Sequence, residues 1–293
     1  MRRRLLLALP ALAPLAAFAA PLRAVASFSI LADLVRQVGQ GRVAVTSVVP
    51  PDGDAHGYQP RPADAKAVMA AGLVVANGLG LDGWMERLAR AADFRGVLTI
   101  AAAAVTPRPM PGGSATDPHA WQDPRNAVQY AHAIGEGLAT ADPGSADFYR
   151  HAASAYADDI LRTDAWIEAQ FAAIPGDARR IITTHDAFGY FGTRYGIEFL
   201  AAQGLSTEAE PSARAIAALV AQIKREKIHA VFIENMTDPR LARMLMRETG
   251  AVLGGTVYSD ALSGPNGPAA TYLAMLRHNT TLFMAAMRGK NSG

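Results

Sequence analysis

The stretch on which both fold and function depend reads Pro51-Asp52-Gly53-Asp54-Ala55-His56-Gly57-Tyr58-Gln59-Pro60. A β-branched run from Val43 to Val49 precedes it and predicts a strand, and a helical pattern begins near Pro62. In open α/β sheets, ligands bind beyond the carboxyl ends of the strands, which is where His56 stands. A single loop histidine is more often an ordinary surface residue. A ligand role for His56 therefore requires further ligand side chains from distant parts of the chain.

Strand-like and helix-like segments alternate along the chain on both sides of this stretch. Strands are predicted at 24–30, 43–49, 73–77 and 97–101, and again at 180–184, 197–201, 229–233 and 255–258. Helical patterns separate nearly all of them. This alternation predicts an α/β fold whose sheets are mostly parallel, with helices on both faces.

A long helix is predicted between the two series of strands. Asp142-Pro143 is typical of a helix start, and no glycine or proline interrupts the segment from there to Ala173 apart from Gly144. About 30 residues at 1.5 Å per residue give a helix of roughly 45 Å, long enough to join two lobes. Two helices separated by a kink are the alternative. The predicted organisation is a signal peptide at 1–19, an N-terminal lobe at 20–141, a linking helix at 142–174 and a C-terminal lobe at 175–293.

Residues 1–19 have the pattern of an export signal. Arg2, Arg3 and Arg4 precede an apolar segment, and Ala17-Phe18-Ala19 forms a small-x-small cleavage site. The sequence has no cysteine, so we expect a periplasmic protein without a lipid anchor, disulfides or thiolate metal ligands. Cleavage would lower the basic count from 28 to 25 against 26 acidic residues, changing the net charge from +2 to −1. The mature chain then has no basic excess for nucleic acid or a membrane surface.

Histidines follow predicted strands or loops at two further places, His119 and His185, and an aspartate, Asp260, follows a fourth. The four candidate metal ligands are His56, His119, His185 and Asp260. Each comes from a separate connection, two from each predicted lobe. Three imidazoles and one carboxylate form a site suited to Zn²⁺ and also to other divalent ions such as Mn²⁺. Asp54, Asp117 and Asp186 are candidates to orient the imidazoles, whereas the role of Glu234 stays open.

Seven motifs, in order along nearly the whole mature chain, resemble the zinc- and manganese-binding solute-binding proteins of ABC transporters. They lie at 26–30, 49–60, 77–84, 117–121, 184–191, 234–240 and 258–263. The resemblance implies two α/β lobes joined by a rigid helix, with the metal at their interface and His56, His119, His185 and Asp260 as its ligands. In this family, a histidine at the position of His185 is commoner in zinc binders. Members with a glutamate at that position resemble manganese-selective proteins. Many zinc binders carry a long histidine-rich loop before the second ligand, whereas the loop before His119 holds no histidine.

These features favour a periplasmic carrier that binds Zn²⁺ and delivers it to a membrane permease, and not an enzyme. A monomer with no nucleic-acid partner is expected. A manganese or iron carrier of the same fold is the first alternative. A zinc hydrolase is a remote one, because Asp260 would close the position that catalytic zinc keeps open for water. Since imidazole must lose its proton to bind metal, affinity is expected to fall as the pH drops through about 6.

Overall fold

The computed structural model describes residues 20–109, 116–205, 207, 210–226 and 228–289. The predicted signal peptide at 1–19 lies outside these residues. Two four-stranded parallel sheets form the framework, and the predicted α/β class with two lobes and a long helix is confirmed. None of the helices in the described ranges has the length and hydropathy that crossing a membrane requires.

The N-terminal sheet contains β1 (Leu22–Phe28), β2 (Val43–Val49), β3 (Leu73–Ala76) and β4 (Val97–Ile100) in the order β2-β1-β3-β4. The last five residues of β1 and all of β3 are buried, as expected for strands covered on both faces. The C-terminal sheet contains β7 (Arg180–His185), β8 (Glu198–Gln203), β9 (Ala230–Glu234) and β10 (Val252–Val257) in the order β10-β9-β7-β8. All neighbouring strands in both sheets are parallel.

Between the sheets, the proline- and glycine-rich segment does not remain a simple loop. Its two ends pair as a short antiparallel ribbon of β5 (Arg108–Pro109) and β6 (Thr116–Asp117). Residues 110–115 lie outside the described ranges. The ribbon ends at Asp117, two residues before His119, so it leads the chain to this side chain.

Nine α-helices connect and cover the strands in the described part of the chain. They are α1 (Ser29–Gly39), α2 (Pro62–Met69), α3 (Gly83–Ala91), α4 (Pro124–Ala141), α5 (Ala146–Ala172), α6 (Gly189–Tyr195), α7 (Ala213–Glu226), α8 (Arg240–Thr249) and α9 (Tyr272–Met287). Helix α4 begins at the N-cap Asp123, whose carboxylate accepts from the Arg125 N–H. A Cβ at Gly137 would overlap Thr99 Oγ1, so this glycine lets α4 approach the N-terminal sheet closely.

The long helix is α5, a single α-helix of 27 residues, so the kinked alternative does not occur. Its predicted start at Asp142-Pro143 is displaced. Helix α4 runs on to Ala141, residues 143–145 form a 3-10 turn, and α5 begins at Ala146. The Asp142 side chain accepts from Tyr149 Oη at 2.9 Å and caps no helix. The dipeptide therefore makes the corner between two antiparallel helices.

The two lobes share one buried apolar cluster. Side chains such as Phe28, Trp121 and Tyr130 belong to it together with Phe188 and Phe283. Helix α5 packs on α1 and α4 from the first half of the chain and on α9 from the second half. A smaller apolar cluster around Leu245 lies within the C-terminal lobe. The lobes are consequently held by a continuous core as well as by a linking helix.

Candidate metal centre

The four predicted ligand side chains come together where the carboxyl ends of the two sheets meet. His56 lies in the loop after β2, and His119 follows the ribbon strand β6. His185 is the last residue of β7, and Asp260 follows β10. Parallel strands present their carboxyl ends at one edge, which brings residues far apart in sequence to the same place.

The facing atoms of these residues are three imidazole Nε2 atoms and the carboxylate of Asp260. Asp260 Oδ2 lies 3.0 Å from His56 Nε2 and 3.2 Å from His185 Nε2. His119 Nε2 lies 3.2 Å from His56 Nε2 and 3.6 Å from Asp260 Oδ1. One atom from each residue can be chosen so that all four lie within 4.8 Å of one another. The remaining histidines of the described chain lie outside this group.

Burial makes this group unlike a surface cluster. The side chains of His119, His185 and Asp260 are 0% exposed, and that of His56 is 7% exposed. Among the described residues, His185 Nε2 and Asp260 Oδ1 are buried without an aligned hydrogen bond. Buried polar atoms usually have partners, because losing hydration without compensation is unfavourable. Donor atoms of this kind fit a bound cation.

The ring of His119 is oriented by Asp117, as the sequence predicted. Asp117 Oδ1 lies 2.8 Å from His119 Nδ1 and also accepts from the His119 main-chain N–H at 3.0 Å. Arg108 Nη1 donates to Asp117 Oδ2 at 3.1 Å. Tyr190 Oη accepts from the Arg108 main-chain N–H, which ties the ribbon to the C-terminal lobe. A carboxylate on Nδ1 leaves Nε2 free to face a metal.

The ring of His185 is contacted by Glu234 and not by Asp186, so the expectation that Asp186 would orient it is wrong. Glu234 Oε2 lies 2.5 Å from His185 Nδ1. Its Oε1 accepts from the His185 main-chain N–H at 2.8 Å and from Thr184 Oγ1 at 2.7 Å. No hydrogen bond or ion pair joins Asp186 to the His185 ring in the described structure. The strand order explains the difference, because β9 lies beside β7 and ends at the same level.

Asp54 also differs from its predicted role. Its Oδ1 accepts from the His56 main-chain N–H at 2.8 Å, an Asx turn within the loop, and the imidazole ring is not its partner. Its Oδ2 accepts from Thr207 Oγ1 in the other half of the chain. Asp54 therefore shapes the loop that carries His56 and links it to the C-terminal lobe.

The electrostatics of the centre follow from these contacts. Burial alone would lower the pKa of His119, but Asp260 and Asp117 raise it to about 9. Burial likewise opposes the positive charge of His185, yet Glu234 and Asp260 raise its pKa well above the usual value. Burial would raise the pKa of the Asp260 carboxyl, but His119 and His185 hold it well below its usual range. The centre is thus strongly suited to positive charge.

The backbone before Asp260 is held from the N-terminal half. Ser259 O accepts from Trp121 Nε1 at 2.9 Å and from Gln122 Nε2 at 2.8 Å. Tyr272 Oη in turn donates to Trp121 O at 2.6 Å. These buried hydrogen bonds fix the relative position of two ligand-bearing segments that lie far apart in sequence.

Comparison with known proteins agrees with this geometry. Residues 24–286 match the family described as ZnuA, the periplasmic component A of a zinc-uptake complex. The chain belongs to this family. It is therefore a metal-binding solute-binding protein of the ABC-transporter type.

Relatives in the family are named for different metals. The manganese-binding lipoprotein MntA of Halalkalibacterium halodurans is 32% identical over 91% of this chain and 88% of its own length. The iron-binding protein YfeA of Yersinia pestis is 31% identical over 87% of this chain and 82% of its own length. The structure of the periplasmic zinc-binding protein TroA of Treponema pallidum superimposes with a TM-score of 0.85 at 28% identity. That match covers 91% of this chain and 99% of TroA.

Proposed function

We propose that this chain binds one Zn²⁺ through Nε2 of His56, His119 and His185 and a carboxylate oxygen of Asp260, and carries it to an ABC-transporter permease. The convergence of three imidazole nitrogens and one carboxylate in a buried centre supports this most directly. A closed shell of four nitrogen and oxygen ligands suits zinc, with zinc–nitrogen distances of about 2.0–2.1 Å. The side chains bind and release the ion, and no bond-making step is required of them.

A carrier accounts for the site better than a hydrolase does. Catalytic zinc is usually held by three protein ligands with a water in the fourth position. Asp260 lies within 3.2 Å of two of the imidazoles and is fully buried, so a fourth protein ligand would occupy that position. We infer a binding protein without catalytic activity.

Metal analysis and calorimetric titration test the proposal. The purified chain is expected to contain or take up one Zn²⁺ per molecule. Asp260→Ala is expected to weaken binding by more than the 10- to 100-fold typical of residues outside the coordination shell. His278→Ala serves as the matched control, because His278 bonds Thr256 O at 2.9 Å outside the group and should leave affinity unchanged. Wild-type affinity in Asp260→Ala would contradict the ligand assignment.

Manganese is the alternative cargo, favoured by the names of relatives such as MntA. Nitrogen-rich sites bind Zn²⁺ more tightly than Mn²⁺, but supply in the cell decides which ion is loaded. Competition of Zn²⁺ against bound Mn²⁺ in the purified protein compares the intrinsic affinities. Metal content of protein isolated from its native compartment without added metal reports the cargo.

The proposed carrier is a periplasmic monomer with an N-terminal lobe at 20–141, a linking helix at 142–174 and a C-terminal lobe at 175–293. The signal pattern at 1–19 and the net charge of −1 after its removal support this location and argue against nucleic-acid binding. Cell fractionation and light scattering of the purified chain would check compartment and mass. Recovery from the cytoplasm would contradict the location, and a stable dimer the monomeric state.

A further inference from the structure

Glu234 is a buried carboxylate that the family resemblance assigns no role. It ends β9, the strand that lies between β7 and β10 in the C-terminal sheet. It is 0% exposed, and within the described structure its carboxylate contacts His185, Thr184 and Ser259, with no arginine or lysine paired to it. Burying an ionised carboxylate without an arginine or lysine partner costs folding free energy. We therefore expect the role of Glu234 to lie in the groups that it contacts.

We propose, on the basis of the metal binding proposed above, that Glu234 is a positioning residue that fixes the tautomer and orientation of the His185 ring. A carboxylate can only accept hydrogen bonds, so a ring nitrogen 2.5 Å from Glu234 Oε2 has to carry the proton. With one ring proton held on Nδ1, Nε2 is the nitrogen that can give up its proton to bind an ion, and it faces Asp260 and the other imidazoles.

The second oxygen of Glu234 holds the carboxylate in place. Oε1 accepts from the His185 main-chain N–H and from Thr184 Oγ1, at 2.8 and 2.7 Å. The other oxygen, Oε2, lies 2.5 Å from His185 Nδ1. The Glu234 carboxylate therefore contacts both the backbone and the ring of His185.

Glu234 has a counterpart in the other lobe. Asp117 Oδ1 contacts both the main-chain N–H and Nδ1 of His119, the two groups that Glu234 contacts in His185 through its two oxygens. The two carboxylates come from different positions relative to their histidines, two residues before one and 49 residues after the other. Two unrelated segments supply the same kind of contact. We infer from this that the contact serves to hold the imidazole ring and is not a by-product of the local chain path.

Glu234→Gln is the discriminating variant. It keeps the shape of the side chain but replaces one acceptor with an NH₂ donor, which must face either the His185 main-chain N–H or Nδ1. If the donor faces Nδ1, the ring proton is forced to Nε2 and competes with the ion. We expect the dissociation constant for Zn²⁺, measured by competition with a chromophoric chelator, to rise 10- to 100-fold.

Two further variants distinguish an effect of His185 positioning on affinity from a general effect of charge and from a failure to fold. Asp186→Asn is the matched control, since it removes a carboxylate next to His185 that does not contact the ring, and it should change affinity less than about fivefold. Thr184→Val keeps the Glu234 charge and removes one of its hydrogen bonds, so it should lower affinity by an intermediate factor. Thr184→Val decides the matter if Glu234→Gln does not fold.

Nuclear magnetic resonance gives a readout that a purely structural role would not move. In the zinc-bound wild type, the Nδ1 proton of His185 should resonate far downfield and exchange slowly, because a carboxylate holds it. In Glu234→Gln this resonance should move upfield or be lost. Wild-type affinity and an unmoved resonance in Glu234→Gln would overturn the proposal, as would an equal loss in Asp186→Asn. Failure of the wild type to bind any divalent ion would instead overturn the proposed function itself, and this inference with it.

Discussion

The formal charges of the buried groups around the centre sum to zero once a divalent ion is included. Asp117, Glu234 and Asp260 contribute three buried carboxylates, and Arg108 contributes one positive charge through its contact with Asp117. A divalent cation, or two protonated imidazoles, brings the sum to zero. Buried charge is tolerated only when it is paired, so a metal ion and protons are alternatives in this site.

Metal binding should consequently release protons. Asp260 and Asp117 raise the pKa of His119 to about 9, and Glu234 and Asp260 also raise that of His185, so we expect both imidazoles to be protonated at neutral pH before metal binds. Affinity should be greatest above about pH 9 and fall as the pH decreases, by up to tenfold per pH unit for each proton displaced. This window lies above the pH of about 6 that an ordinary imidazole suggests. Zinc titrations in buffers of different ionisation enthalpy should report about two protons released at pH 7.5. A heat independent of the buffer would contradict this.

Gly189 packs against the Asp117 carboxylate, which orients His119. A Cβ at this position would overlap Arg108 Nη1 and lie 2.7 Å from Asp117 Oδ2. We expect Gly189→Ala to displace Asp117, weaken metal binding and lower the free energy of unfolding by about 1–3 kcal/mol, as overpacking does. Gly176→Ala is the control, since nothing lies within 4 Å of a Cβ there. Equal denaturation midpoints and equal affinities in the two variants would refute the expected overlap.

At the scale of elements, α5 is fixed to the C-terminal half of the chain by a partly buried ion pair. Asp164, in the middle of α5, accepts from Arg194 Nη2 at 2.7 Å and from Tyr195 Oη at 2.7 Å, both on α6. Arg125 at the start of α4 contacts the same carboxylate. Helix α6 follows the segment that carries His185, so this cluster connects the long helix to a ligand-bearing element.

Loss of this carboxylate should destabilise the protein in a pH-dependent way. Burial would raise the pKa of Asp164, but Arg194, Tyr195 and Arg125 lower it below its usual value. A lowered folded-state pKa stabilises the protein above the unfolded pKa of about 4, and this contribution disappears as the pH falls through the folded value. We expect Asp164→Asn to lose about 1–3 kcal/mol at pH 7 by urea denaturation, and less below pH 3.

Asp159→Asn is the control for this measurement. Asp159 pairs with Arg162 on the exposed face of the same helix, where ion pairs contribute little. Its loss should change stability by less than about 0.5 kcal/mol at any pH. Equal losses in the two variants would show that the cluster around Asp164 contributes no more than a surface pair.

For the whole molecule, the interface between the lobes resembles the interior of one domain. Leu262 N–H donates to Ser29 Oγ at 2.9 Å, and Asp52 N–H donates to Leu262 O at 2.9 Å. The Tyr272 main-chain N–H donates to Asp33 Oδ2 at 2.8 Å. Together with the shared apolar cluster, these contacts oppose a wide opening between the lobes.

Metal release should therefore involve loops or a small movement of one lobe and not a large hinge motion. We expect the radius of gyration of the metal-free and zinc-bound protein, measured by small-angle X-ray scattering, to agree within about 1 Å. A large rotation between the lobes in paired metal-free and metal-bound structures would contradict this expectation.

Much of the centre could be predicted because its residues lie at the ends of recognisable strands. The β-branched run before His56 and the strand ending at His185 marked two positions without any knowledge of tertiary structure. The contacts that orient the imidazoles are harder to predict. Asp117 lies two residues from its histidine, so proximity in the sequence predicts this contact, whereas Glu234 lies 49 residues from His185 and no local pattern joins the two. Proximity also points to Asp186, which makes no hydrogen bond or ion pair with the His185 ring in the described structure.

The sequence by itself determined the alternation of strands and helices, the long helix and the four side chains with the chemistry to bind a metal. These follow from local periodicity, turn residues and the types of ligand atom available. Only the tertiary structure decided the strand order β10-β9-β7-β8, which sets Glu234 beside His185 and leaves Asp186 away from the ring. Strand order depends on packing between segments distant in sequence, and no local pattern encodes it. The same packing brings His56 within 3.0 Å of Asp260, 204 residues further along the chain.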